Sequence, residues 1–307
     1  MPTTKKFETG PKCWINTKIW PCPENNRKSL MVLLHYWGGS SETWHRLTSP
    51  NSPTSLSNIY PTIAVDLRGW GESRDQPSGL SKTSVRTFSI AAMALDVGSI
   101  LRQMKADPQT AAYFEHGFVL VGHSMGAKVA LATTDALGKL QPQLKGFVLI
   151  APAPLTPLVL PREMSEQQQS AYESEESVRD VIANVLAEKD KLKPSDVELV
   201  VRDSLRGNPV AKKAWPAYAM EEDISGVVEA ALRHFGGSFN KPSIRAVVLY
   251  GDNDQVEPEK RIMKEVIPFL QANRVRIYNV KAVLDVKHLI PLEAPEVVYE
   301  QICRGFA

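Results

Sequence analysis

Six short, almost wholly apolar runs recur along the chain, at 30–34, 62–65, 118–121, 146–150, 246–250 and 275–280. Runs of this length without polar alternation read as strands buried on both faces, the signature of a parallel sheet. Between them the apolar positions switch to a period of 3.6. Ile90, Ala94, Val97, Leu101 and Met104 make one helical stripe, and Val129, Ala130, Thr133, Thr134 and Leu137 another. Strand and helix in alternation predict an α/β fold, a mostly parallel sheet with helices on both faces. Near the N-terminus, alternating stretches around 14–20 predict an antiparallel edge, closed by Pro21 and Pro23.

The alternation breaks after Ile150. Ala151-Pro152-Ala153-Pro154-Leu155-Thr156-Pro157, with Pro161 beyond it, is stiff and incompatible with a helix. From 174 to 234 only helices are legible. Val178, Val181, Ile182, Val185 and Leu186 form one stripe, and Ser195 with Glu198 predicts a capping box opening a helix that ends at Gly207. The strand pattern resumes at Ile244. The expected organisation is therefore one α/β core, 1–154 and 236–307, interrupted by a helical insertion at 155–235.

With 307 residues and 43% hydrophobic positions, the chain can fill a sizeable core. Lys+Arg 36 against Asp+Glu 34 leaves +2, too balanced to favour nucleic acid or an anionic membrane, so a small-molecule partner is expected. Cys13, Cys22 and Cys303 are too few for a disulfide framework and read as structural thiols. The first ten residues lack an apolar leader, and no run of 18 apolar residues occurs, which predicts a cytoplasmic protein. No His/Asp/Glu cluster has metal-ligand spacing and no nucleotide-binding glycine loop appears, so no metal or cofactor is expected. Oligomeric state leaves no mark on the sequence.

Candidate chemistry begins where the run 118–121 meets Gly122-His123-Ser124-Met125-Gly126. A serine held in a sharp strand-to-helix turn brings neighbouring backbone too close for side chains, hence flanking glycines. The pentapeptide alone decides little, since roughly one chain of this length in ten would contain it by accident at a Gly usage of about 7%. A serine nucleophile also needs an imidazole to take its proton and a carboxylate to orient that imidazole. His288, after the last strand-like run, is the candidate base. Asp254, in the turn Gly251-Asp252-Asn253-Asp254-Gln255, is preferred to Asp252 as the acid, because three residues past Gly251 the chain can turn back across the sheet edge. Backbone N–H groups of Met125 and Trp37, the latter in His35-Tyr36-Trp37-Gly38-Gly39-Ser40, are the candidates for receiving an oxyanion. His123 reads as held by packing and loop hydrogen bonds, and Asp66-Leu67-Arg68-Gly69-Trp70-Gly71-Glu72-Ser73 as a structural loop whose Asp and Arg satisfy backbone groups.

These motifs occur in one order: H-x-x-G-G, D-x-R-G-x-G-x-S, G-H-S-M-G, G-x-x-D and H-x-x-x-x-E-x-P. From about Leu30 to the C-terminus the chain resembles the α/β-hydrolase superfamily, in which nucleophile, acid and base follow the order Ser124, Asp254, His288. The resemblance implies an α/β-hydrolase fold, an oxyanion hole at Trp37 and Met125, and a helical lid formed by the insertion. The chain departs from the family in carrying Lys287 where many members have Gly, and His35-Tyr36 where many have His-Gly. Lys287 is expected to lower the pKa of the neighbouring imidazole. Ser124, in place of Asp, argues against epoxide or haloalkane chemistry.

The resulting expectation is a serine hydrolase cleaving a small, largely apolar carboxylic ester or lactone through an acyl-enzyme. Tyr36, Leu158, Trp215 and Tyr218 are the candidate pocket residues, with Leu160, Met164, Leu192 and Leu205 as further apolar positions of the insertion. Arg162, Arg202 and Arg206 are the candidate cations for a substrate carboxylate. Carbon-carbon bond hydrolases and cofactor-free haloperoxidases, which are perhydrolases, share the same residues. A ligand receptor on this fold is the alternative of another class.

Overall fold

The computed structural model describes residues 1–21, 23, 27–75, 84–233 and 244–306. Cys22 and the expected junction at 235/236 lie outside the described residues. Among the described residues nine strands form one sheet: β1 (Thr3–Gly10), β2 (Cys13–Trp20), β3 (Leu30–Leu34), β4 (Thr62–Val65), β5 (Arg74–Asp75), β6 (Phe118–His123), β7 (Leu144–Ile150), β8 (Arg245–Gly251) and β9 (Arg276–Val283). Their spatial order is β1-β2-β4-β3-β6-β7-β8-β9, with β5 pairing β2. β1, β2 and β5 pair antiparallel, and β2 also runs antiparallel to β4. The six strands from β4 through β3 to β9 are parallel.

Each expected strand is present. β9 runs three residues beyond its apolar run, to Val283, because its ladder with β8 continues to the pair Gly251↔Val283. At the sheet edge a strand need bury only part of its surface, so Lys281 is accepted within the ladder and interrupts the apolar pattern before Ala282 and Val283.

Strand alternation sends neighbouring side chains to opposite faces. Leu30, Val32 and Leu34 of β3 pack with one apolar cluster, Met31 and Leu33 with another, and β6 divides Phe118 and Leu120 from Val119 and Val121 in the same way. The first cluster takes in α1 (Ile90–Ala106) and α2 (Met125–Ala136). On the other face lies the C-terminal helix Pro295–Gly305, through Val298 and Ile302.

Between β7 and β8 lie α3 (Arg162–Ser170), α4 (Glu175–Val181), α5 (Pro194–Arg206), α6 (Pro209–Ala217) and α7 (Ser225–Arg233). The stripe expected at 178–186 is α4 followed by a wider turn, Ile182–Leu186, whose end carbonyl has a role at the site. α5 opens at Pro194, so Ser195 lies inside it and is not its cap. Proline at the first helical position has no N–H to leave unsatisfied, and the Asp196 carboxylate accepts from the Lys193 N–H at 3.3 Å. Its expected end at Gly207 holds, for a packing reason: a Cβ there would lie 2.4 Å from the Trp70 ring.

The sheet has a switch point between β3 and β6. From β3 the chain steps outward to β4, then crosses to β6 on the other side, so loops leaving the carboxyl ends of β3 and β6 diverge and open a crevice. Ser124 and the 35–40 loop emerge there.

Candidate active site

Ser124 has φ 55° and ψ −117°, left-handed backbone that a non-glycine residue holds only under constraint, at about 1–3 kcal/mol. The constraint is visible. The Ser124 N–H donates to the Ile150 carbonyl at 2.8 Å, and its own carbonyl accepts from Ala127 N–H at 2.9 Å. The flanking glycines allow close approach. A Cβ at Gly126 would lie 2.3 Å from the Leu34 carbonyl oxygen and 2.5 Å from that of His35, and one at Gly122 would lie 2.3 Å from the Gly126 carbonyl. The serine thus sits at the tip of a turn pressed against β3.

Asp254 and His288 are brought together by the turns after β8 and β9. The His288 Nδ1–H donates to Asp254 Oδ2 at 2.8 Å, with both side chains buried. Asp254 Oδ1 accepts from the N–H groups of Val256, at 2.8 Å, and Glu257, at 3.1 Å, so the carboxylate cannot rotate without losing backbone partners. Asp252 is exposed; its carboxylate accepts only the Val286 N–H, at 3.4 Å, and holds the loop. Burial raises the Asp254 pKa, but the charge and hydrogen bond of His288 and the two N–H donors bring it below the usual carboxylate range. For His288, burial depresses the imidazole, whereas Asp254, then Glu257 and Glu293, more than reverse this and leave it above 6.5. The expectation that Lys287 would lower this pKa is overturned: the groups that raise it are led by Asp254, and the half-buried Lys287, whose N–H is taken by Glu293 at 3.2 Å, is not among those that set it.

The loop that carries His288 is anchored from two sides. The Leu186 carbonyl, at the end of the wide turn after α4, accepts from both His288 N–H and Leu289 N–H at 3.0 Å. Glu293 joins the same segments, accepting from the N–H groups of Glu188 at 2.7 Å and Lys287. His123 packs its ring 5.2 Å from that of His288 and donates from Nε2 to the His288 carbonyl at 2.7 Å. Burial, then the charge of His288, hold His123 well below the ordinary imidazole pKa, so it is neutral.

The 35–40 loop is equally constrained. His35 Nε2 accepts from Leu67 N–H at 2.9 Å, which places its proton on Nδ1, donated to the Tyr36 carbonyl at 2.7 Å. Burial pulls this imidazole down to about 4, so it remains neutral. With the Tyr36 carbonyl fixed, and Gly39 N–H also donating to it at 3.1 Å, the planar trans peptide fixes the Trp37 N–H on its opposite side. The insertion clamps the next peptide: Tyr172 Oη donates to the Trp37 carbonyl at 3.0 Å, and Trp37 Nε1 donates to the Lys212 carbonyl at 3.1 Å. Gly38, at φ 99°, runs so close to Tyr172 that a Cβ would lie 2.7 Å from its ring. Met125 N–H opens α2 and so has no acceptor within the helix. The Asp66 loop is structural: Asp66 accepts from Ser41 N–H at 2.6 Å, Glu72 N–H at 2.9 Å and Asn16 Nδ2 at 2.8 Å. Arg68 pairs with Asp96 through two hydrogen bonds.

Ser124 and His288 border one cavity of about 620 Å³, walled by the sheet edge and the insertion. Of the expected pocket residues, Tyr36, Leu158 and Trp215 line it, as do Leu160, Met164 and the side chain of Trp37. Tyr218 does not. Its ring lies under the Arg86 guanidinium, 5.2 Å away, where the backbone leaves α6 at φ −158° and ψ −56°. Leu192 and Leu205 pack into the core instead. Arg162, Arg202 and Arg206 are also elsewhere, paired with Glu166, Asp203 and Glu72.

Among the polar residues that line the cavity and that sequence reasoning missed are Glu257 and Arg261. Their i, i+4 spacing just beyond Asp254 was the available signal. Lys128, which does not itself line the cavity, is fully buried one turn into α2 and donates to the carbonyl of Met220, a cavity residue, at 3.1 Å. Burial draws its ammonium down to about 8 against the pull of Glu222, Glu257 and Asp223. Among the described residues no group of three or more His, Cys, Asp or Glu is placed to hold a metal ion, and no helix is long and apolar enough to cross a membrane. Cys13 is buried, where the Thr9 hydroxyl approaches its sulfur at 3.5 Å, and Cys303 is half-buried.

Known proteins with this architecture are numerous. A thermophilic esterase from Thermogutta terrifontis superposes with TM-score 0.69 at 20% identity, covering 98% of this chain and 97% of that one. Est816, described as an N-acyl homoserine lactone degrading enzyme, gives 0.68 at 19%, covering 99% and 100%. The epoxide hydrolase CorEH gives 0.68 at 16%, covering 99% and 98%. At these identities the likeness is one of fold. Among curated sequences, the chloroplastic protein PHYLLO of Arabidopsis thaliana is 27% identical over 131 residues, 43% of this chain; the match spans only 7% of that protein's length. The model of the alpha/beta hydrolase family matches residues 31–301, nearly all of the parallel sheet and everything that surrounds the cavity. The chain belongs to the alpha/beta hydrolase family.

Proposed function

We propose that this protein is a serine hydrolase acting on carboxylic esters or lactones, with Ser124, His288 and Asp254 as its catalytic triad. The observation that carries the reading is the fixed carboxylate: Asp254 spends Oδ1 on two backbone donors and has Oδ2 left for His288 Nδ1 at 2.8 Å. That contact keeps the proton on Nδ1 and the Nε2 lone pair free, the state a general base requires.

Ser124 Oγ attacks the carbonyl as His288 takes its proton. Negative charge gathers on the carbonyl oxygen, which the N–H groups of Trp37 and Met125 receive. His288 then returns the proton to the departing alcohol, and water repeats the sequence on the acyl-enzyme. The insertion acts as a cap at 155–235, since Tyr172, Lys212 and Leu186 hold both the oxyanion loop and the base loop. The esterase and the N-acyl homoserine lactone degrading enzyme among the structural neighbours are compatible with this chemistry. Carbon-carbon cleavage uses the same residues and is separated by substrate alone.

The test is covalent labelling by a fluorophosphonate together with turnover of a panel of p-nitrophenyl esters, lactones and vinylogous diketones. Labelling and ester turnover are expected in the wild type, and both vanish in S124A. Labelling that survives S124A would sink the assignment of the nucleophile.

A further inference from the structure

The cavity wall is apolar over much of its area, with Leu158, Leu160, Val181, Leu186 and Trp215, yet it contains a guanidinium. The Arg261 side chain is 25% exposed, and its partner Glu257 is 1% exposed. Desolvating a cation against such a wall is costly unless its donors are used. Only one nitrogen is used here. Arg261 Nη1 donates both to the Val256 carbonyl, at 2.8 Å, and to Glu257 Oε2, at 3.0 Å. The Nε and Nη2 edge, the fork that fits a carboxylate bidentately, has no partner among the described residues.

Glu257 does not cancel the charge. Its burial outweighs the pull of Arg261 and pushes the carboxyl up to about 8, so near neutral pH it is mostly protonated and the guanidinium keeps a net positive charge. Asp180 also borders the cavity, but it is exposed and already accepts from Asn184 Nδ2 at 2.7 Å. The loop carrying Arg261 leads directly from Asp254, so the cation shares a wall with the reacting groups. Because the pair lies on the segment 254–261, its position is tied to that of the acid.

Resting on the hydrolase reading, the geometry points to a selectivity for acidic substrates: Arg261 binds a carboxylate remote from the scissile carbonyl, using its Nε and Nη2 edge while Ser124 meets the ester. Arg261 touches substrate only and has no part in proton transfer.

Two substrate pairs test this, each with an acidic and a neutral member. Mono-p-nitrophenyl adipate is set against p-nitrophenyl hexanoate for the acyl side, and 4-(butanoyloxy)benzoate against phenyl butanoate for the alcohol side. Wild-type enzyme is expected to favour the acidic member of at least one pair in kcat/KM. In R261Q that acidic-to-neutral ratio falls about 30-fold, mainly through KM, as expected for loss of a charge-assisted bidentate contact. R261K, which keeps the charge without the fork, recovers part of the ratio. Absence of an acidic preference in both pairs would overturn the proposal, as would an equal fall of both members in R261Q, the mark of a structural role. Fluorophosphonate labelling keeps the two readings apart. A wild type that neither labels nor turns over any ester refutes the hydrolase assignment itself, whereas one that labels but shows no acidic preference refutes only the role of Arg261.

Discussion

Replacing Asp254 with Asn changes one atom and should change the tautomer of His288. Oδ1 accepts two backbone N–H groups, from Val256 at 2.8 Å and Glu257 at 3.1 Å. An Asn amide can satisfy both only by placing its carbonyl oxygen there. Its NH₂ must then occupy the Oδ2 position, 2.8 Å from His288 Nδ1, where it can only donate. The imidazole responds by carrying its proton on Nε2, facing the cavity, and loses the lone pair that would deprotonate Ser124. For a triad in which this switch occurs the loss in kcat is about 10⁴-fold, or ~5 kcal/mol of transition-state stabilisation at ~1.4 kcal/mol per tenfold. The assay is steady-state hydrolysis of a p-nitrophenyl ester, with a thermal melt confirming that the variant is folded. Asp252→Asn is the control, since its carboxylate meets only the Val286 N–H at 3.4 Å, and it should stay within a few-fold of wild type. A folded D254N retaining a tenth or more of the activity would refute the tautomer argument, and equal losses in the two variants would refute the choice of acid.

Gly126→Ala should destabilise the fold by about 1–3 kcal/mol or more, since its Cβ would meet the Leu34 carbonyl oxygen at 2.3 Å; a urea unfolding midpoint like that of wild type would contradict the close-packed turn. Because His288 must be neutral to act and its pKa is held above 6.5, kcat/KM should rise with pH through an inflection above 6.5. An inflection at 6 or below would show that the carboxylates do not outweigh burial. Glu257, a carboxyl raised from 4.5 to about 8, binds its proton more tightly in the folded chain. Its contribution to stability is full below about pH 4.5 and is lost as pH rises through about 8. Glu257→Gln should therefore flatten the fall in stability across that window, measured by denaturant unfolding at several pH values, and an unchanged slope would reject the shift.

Strand identity was legible because burial on both faces writes itself as an unbroken apolar run, as at Leu30–Leu34 and Thr62–Val65, where the expected and observed bounds coincide. The serine turn was equally legible, since only glycine fits where Gly122 and Gly126 meet neighbouring backbone. Local chemistry also favoured Asp254 over Asp252, by the length of turn available after Gly251. These features depend on residues close in sequence, and sequence order carries them.

What tertiary structure alone decided is how distant segments face one another. No pattern in the chain distinguishes Trp215, which reaches the cavity, from Tyr218, which turns away beneath Arg86, because both are aromatic residues of one helical stretch separated by a local change of backbone. The same holds for charge. Arg162, Arg202 and Arg206 lie in the insertion yet are consumed by ion pairs, while Arg261, on the core, borders the cavity. The pKa of His288 likewise followed chiefly from Asp254, held against its ring by a separate turn, and not from Lys287 beside it in sequence. Electrostatic and packing energies fall off with distance through space, so the sequence determined which chemistry the chain could perform, and the fold determined which side chains surround it.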